Sequence, residues 1–199
     1  MSLFITFEGI DGSGKSTVCH RVADELTCQG HHVITTAEPT KTPIGDFVNT
    51  CIRTNADPYL TAFSFIADRI QHCTQIKAWL DDRTIVLCDR YAESTYAYQG
   101  AQLSGQLRTP MKWLQDLSKG RILVPDRTFL LVVAPRIAIA RIQQRTELIP
   151  FERQAFLERV HRNYLRLCTG PRFTRLDATE SVEMLVERCV KTILEATDE

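Results

Sequence analysis

The chain has 199 residues, 44% apolar and 24% charged, enough for one globular domain that buries about 70% of the surface its unfolded form exposes. Twenty-four basic residues balance 24 acidic ones, which argues against a general nucleic-acid or membrane-surface binder. Seven cysteines with no C-x-x-C pair and no close Cys/His cluster read as buried free thiols, not as a disulfide framework or a zinc site. From the amino end, Leu3 to Phe7 is predicted as a strand and Lys15 to Cys28 as a helix closed by Gly30. Val33 to Thr36 is a short strand. Thr42-Pro43 and Asp57-Pro58 each join a capping side chain to a proline at the first helical position, and the second opens a long helix to about Leu80. The apolar run Thr84 to Cys88 is predicted as a central parallel strand, and Thr109-Pro110 as the start of another helix. Thr128 to Ala134 follows as a strand, then helices Arg136 to Arg145 and Phe151 to Leu167 around a break at 146–150. A last strand, Phe173 to Leu176, precedes a helix from Val182 to Leu194. Five strands alternating with about eight helices specify one doubly wound α/β domain over 1–199 with a parallel sheet.

The charge balance conceals an uneven distribution. Eighteen of the 24 cations are Arg, and 136–175 holds nine Arg against three Glu, while 177–199 holds seven acids against two bases. Arginine is favoured where a planar fork must grip phosphate or carboxylate. The first residues, MSLFITF, lack the basic start of a signal peptide, and no apolar run approaches 18 residues, so a cytoplasmic protein without a membrane partner is expected.

Gly9-Ile10-Asp11-Gly12-Ser13-Gly14-Lys15-Ser16 fits G-x-x-x-x-G-K-[ST] between a strand and a helix. In that setting the glycines let successive N–H groups of 9–17, through Thr17, point at phosphate oxygens, helped by the helix dipole. Lys15 is then placed to reach the β- and γ-phosphates, and Ser16 to offer its hydroxyl to Mg²⁺. No N-K-x-D guanine reader is present. Asp89-Arg90-Tyr91 ends a central strand, so Arg90 points into the ligand crevice of an open α/β sheet and would meet a second phosphate. Asp89 either pairs with Arg90 or holds a water on the metal. On the long helix, Leu60, Phe63, Ala67, Ile70, Cys73 and Lys77 form the expected core stripe. Phe65, Arg69, His72 and Ile76 form a second stripe, which suits either a planar ligand with carbonyl edges or packing under a loop.

Together these residues resemble the thymidylate kinase family of P-loop nucleoside monophosphate kinases. The likeness runs through Phe7–Thr17, Glu38-Pro39-Thr40, Phe65-Ile-Ala-Asp-Arg69, Asp89-Arg-Tyr, Ser94–Gly100, Pro125-Asp126 and the stretch Ala140–Glu152. It implies transfer of the γ-phosphoryl of ATP to dTMP with Mg²⁺, giving dTDP and ADP, on a P-loop NTPase fold with a short lid at about 141–152. It further implies that Phe65 stacks on thymine, that Arg69 donates to its O4, and that Arg90 holds the dTMP phosphate. Asp11 would face the acceptor sugar or phosphate, Tyr98 would crowd the 2′ position, and Thr95 and Gln99 would border the base. Lys15, Arg90, Arg141 and Arg145 would supply the catalytic cations, with Ser16 and Asp89 at the metal. A homodimer is implied by the same resemblance. This chain departs from many relatives at Ala37, where an Arg is common and Lys41 is the candidate substitute, and at Ala134, where an acid is common. Glu8 receives no role from the sequence. The competing readings are a kinase of another nucleoside monophosphate or deoxynucleoside, and a nucleotide-binding switch without turnover.

Overall fold

The structure is a computed structural model that describes residues 2–143 and 154–196. Five strands, β1 (Leu3–Glu8), β2 (Val33–Ala37), β3 (Ile85–Asp89), β4 (Arg127–Val132) and β5 (Phe173–Asp177), form one sheet in the order β2-β3-β1-β4-β5. All neighbours are parallel. The strands connect through α1 (Lys15–Cys28), α2 (Pro43–Arg53), α3 (Pro58–Asp81), α4 (Ala92–Gln102), α5 (Pro110–Ser118), α6 (Pro135–Gln143) and α7 (Gln154–Leu167), and α8 (Val182–Glu195) closes the chain. The predicted five-stranded, doubly wound architecture is therefore what the chain adopts, with strand ends shifted by one or two residues.

Local chemistry sets the element ends. At the end of α1, Gly30 lies at φ 87°, and the amides of Gly30 and His31 bond to Thr27 and Leu26, closing the helix in the left-handed turn that only glycine enters freely. Thr42 and Asp57 cap α2 and α3 by accepting amide protons of the first turn.

Side chains alternate across β1. Leu3, Ile5 and Phe7 join a core that includes Val18, Val22 and Leu26 of α1 and Leu185 and Cys189 of α8. Phe4 points the other way, into Ala62, Ile66 and Ile76 of α3 and Leu114 of α5. Thr6 and Glu8 share that second face and are fully buried. Of the seven cysteines, six are buried thiols as expected, and Cys28 is exposed.

The long helix corrects the sequence reading. Leu60, Phe63 and Ile70, expected in the core, are 45%, 48% and 40% exposed, and Ala67 and Lys77 are also exposed. Of that stripe only Cys73 is buried, whereas Arg69, His72 and Ile76 of the second stripe lie inside with Ala62, Ile66 and Asp68. Hydrophobicity ranks the faces wrongly here because the buried face carries charges that are paired within the fold. Asp68 accepts from the Thr40 amide at 2.8 Å and from its hydroxyl at 2.5 Å, and Arg69 meets Glu38.

Candidate active site

The sheet order reverses between β1 and β3, and the loops leaving those two strands meet there, which is where open α/β sheets bind ligands. After β1 comes the Gly-rich loop. Gly12 lies at φ 80°, and a Cβ there would come within 2.3 Å of the Ala138 carbonyl oxygen of α6, so the loop has room only for glycine. Gly14, at φ 93°, is the N-cap of α1. Ile10 is buried in the core, leaving its backbone alone to serve a ligand, and Thr17 is exposed on the first turn of α1. Lys15 is 6% exposed and lies 3.7 Å from Asp11. Burial, then Arg90, lowers its pKa below the usual lysine value. Ser16 donates to Asp89 Oδ2, while Asp89 Oδ1 is buried without a partner. A hydroxyl and a carboxylate set together at the phosphate loop form a hard-oxygen donor pair that suits Mg²⁺.

After β3 the chain turns sharply. Arg90 sits at φ 69°, a left-handed conformation costly for a non-glycine residue, while its amide bonds to Phe7 across the strand pair. Its guanidinium is paired with Asp11, not with Asp89, and stacks 5.3 Å from the Tyr98 ring. The Tyr98 hydroxyl donates to Asp11 Oδ2 at 2.8 Å and accepts the Asp11 amide at 2.9 Å. Burial would raise the Asp11 pKa, but Arg90, Lys15 and Tyr98 together hold the carboxyl below the usual carboxylate range.

These groups line a cleft that also takes in Phe65 and Arg69 of the second α3 stripe. Asp11, Arg90, Ser94 and Tyr98 line it together with Phe65, Arg69 and Gln99, and Glu38, Pro39, Ile52 and Tyr91 complete the lining. The Gln99 side-chain oxygen and Arg69 Nη1 are buried polar atoms without partners. Thr95 does not line the cleft: it is fully buried behind Arg69 and accepts from Nη2 at 2.9 Å.

Sequence reasoning missed Glu8. Glu8 Oε1 accepts the amides of Tyr91 and Ser94 at 2.9 and 3.2 Å, capping α4, whose own N-cap residue Tyr91 makes no side-chain capping bond. Glu8 Oε2 accepts the hydroxyls of Ser94 and Tyr164 at 2.6 and 3.0 Å. Ser94 in turn accepts from Arg90 Nη1. A buried acid on β1 thus ties α4, α7 and Arg90 together, and no periodicity or motif marks such a link.

Arg141 bonds to the carbonyl oxygens of Gly12 at 3.4 Å and Ala178 at 2.9 Å, so α6 brings it against the phosphate loop. Arg145 and the rest of the expected lid, 144–152, lie outside the described residues. Lys41 is exposed and faces a neighbouring cleft with Thr40, His72 and Asp89, not the one lined by Phe65.

A parallel sheet with a G-x-x-x-x-G-K-[ST] loop, and a cleft lined by Arg69 and Arg90 beside it, are the features of a P-loop phosphotransferase. The family model described as thymidylate kinase matches residues 7–189. A protein named probable thymidylate kinase from Methanosarcina barkeri is 40% identical over 195 residues, 96% of this chain and 95% of the relative. One of the same name from Methanoculleus marisnigri is 40% identical over 179 residues, 88% of this chain and 86% of the relative. The chain belongs to the thymidylate kinase family and is a nucleoside monophosphate kinase. Among the described residues no helix is long and apolar enough to cross a membrane.

Proposed function

We propose that this chain transfers the γ-phosphoryl group of ATP to dTMP, with ATP on the loop 9–17 and dTMP in the cleft beside it. The observation that carries this reading is that Phe65 and Arg69, whose Nη1 is a buried donor without a partner, line one cleft with Arg90. A guanidinium is only a donor, so it selects a base that presents a carbonyl. Phe65 stacks on the thymine, Arg69 donates to O4, and Gln99 borders the base. Tyr98, held by Asp11, crowds the sugar at its 2′ position, and Asp11 faces the sugar or phosphate. Thr95 contributes by holding Arg69.

Phosphoryl transfer spreads charge over the equatorial oxygens, so catalysis rests on alignment and fixed cations. Arg90, oriented by Asp11, Ser94 and Tyr98, holds the acceptor phosphate in line with the γ-phosphate. Lys15, largely shielded from water, and Arg141, against the loop, stabilise the charge that develops between the two; Arg145 joins them from the lid. Mg²⁺, held by Ser16 and Asp89 together with the phosphates, supplies neutralisation of the nucleotide charge when bound.

The exposed stripe of Leu60, Phe63 and Ile70 on α3 supports a second copy of this chain as its cover. The reaction is tested by incubating the protein with ATP, Mg²⁺ and each of dTMP, dUMP, dCMP, AMP and GMP and following ADP release. Release with dTMP is expected; release confined to AMP or GMP, or none with any acceptor, would sink the reading.

A further inference from the structure

We propose that Glu38, backed by His72, is a positioning residue that sets base selectivity by locking Arg69 so that only its Nη1 group faces the cleft. The inference rests on the dTMP reading above, and deepens it from a contact to a device.

A guanidinium carries five N–H donors. In Arg69, Nε donates to Glu38 Oε2 at 2.8 Å, and Nη2 donates to the Tyr91 carbonyl at 3.0 Å and the Thr95 hydroxyl at 2.9 Å. Nη2 also lies 2.7 Å from Glu38 Oε2. The edge made by Nε and Nη2 is therefore fully engaged, and Nη1 is left buried without a partner in a residue that lines the cleft. The other Glu38 oxygen is engaged as well: His72 Nδ1 lies 3.0 Å from Oε1. On the other side of the ring, His72 Nε2 lies 2.8 Å from the Thr36 hydroxyl. Arg69 and His72 stand three residues apart on one face of α3 and grip the two oxygens of a residue that follows β2. Both Glu38 and Arg69 side chains are 1% exposed.

Such a pair is a poor stability device, because taking both charges out of water offsets most of their attraction. It is a good orienting device. A free arginine would swing aside from a base carrying an amino group in place of the O4 carbonyl. Held along one edge, it keeps an Nη1 N–H donor at that position, where an amino group meets donor against donor. A buried, unpaired donor pair costs a ligand far more than a missing contact would.

The test is steady-state kinetics of the full chain with dTMP, dUMP and dCMP for Glu38→Gln, Arg69→Met, the double variant and His72→Gln. Glu38→Gln is expected to raise the KM for dTMP about tenfold and cut the dTMP-over-dCMP preference by a similar factor, with KM for ATP and kcat within about threefold of the parent. The double variant should be no worse than Arg69→Met alone, since Glu38 acts through that side chain. His72→Gln should show the same split at smaller size, with dUMP tracking dTMP throughout, and it decides the matter if Glu38→Gln does not fold. An unchanged selectivity ratio in a folded variant overturns the proposal, as does an equal loss with both substrates or a double variant whose losses multiply. If Arg69→Met itself leaves the KM for dTMP unchanged, the reading of the cleft fails as well; if it raises KM while Glu38→Gln and His72→Gln do not, only the positioning role is lost.

Discussion

Lys15, Glu8 and Gly12 each carry a prediction at the level of single side chains. Lys15→Ala should lower turnover at least about a hundredfold while circular dichroism and melting remain near the parent, because the lysine contributes charge, not packing. Near-parental turnover would remove Lys15 from the phosphate site. Gly12→Ala places a methyl group against the Ala138 carbonyl in a left-handed turn, so it should weaken ATP binding and cost about 2 kcal/mol of stability by denaturant titration. Glu8 is raised from 4.5 to about 7 by burial and by the neighbouring Glu93, against the donors Ser94, Arg90 and Tyr91. Its folded pKa lies above its unfolded one, so the folded state binds the proton more tightly and this contribution to stability falls as pH rises between those values. Glu8→Gln removes the titration. Its stability relative to the parent should therefore improve between pH 5 and pH 8, by on the order of 3 kcal/mol at most, a parallel pair of pH–stability curves being the contrary result.

Helices α3 and α4 show where a sequence pattern stops being informative. The Asp57-Pro58 start of α3 was legible because capping is local chemistry between neighbours. Its buried face was not, because Asp68, Arg69 and His72 are inside only by virtue of partners at Thr36, Glu38 and Thr40, about 30 positions away. The inverted faces lead to opposite expectations for two phenylalanines. Phe65→Ala should raise the KM for dTMP far more than that for ATP, whereas Phe63→Asp should leave the monomer folded and turn a dimer into a monomer in sedimentation. A dimer of unchanged strength would remove the α3 stripe from the interface. For α4 the sequence gives no periodicity to follow, since Ala92 to Ala101 is buried on every side between the sheet, α3, α5 and α7. The start of this helix is fixed by Glu8, a residue from another element.

Across the whole molecule, the zero net charge and the excess of arginine turn out to be compatible. Arg69 and Arg90 are paired with Glu38 and Asp11, and Arg141 bonds to carbonyl oxygens beside the phosphate loop, so part of the arginine excess is matched locally by acids. The sequence by itself determined the strand and helix alternation and the phosphate loop, because these depend on spacing along the chain and on backbone chemistry within a few residues, whereas Tyr98 and Gln99 entered only through the family resemblance. The tertiary structure alone decided which face of α3 is buried and that Arg90 pairs with Asp11 instead of Asp89. It also decided that Thr95 stands behind Arg69, and that Glu8 and Glu38 organise the two arginines. Those outcomes depend on which distant groups meet at the switch point of the sheet, and a buried charge is tolerated only where its partner has been brought to it.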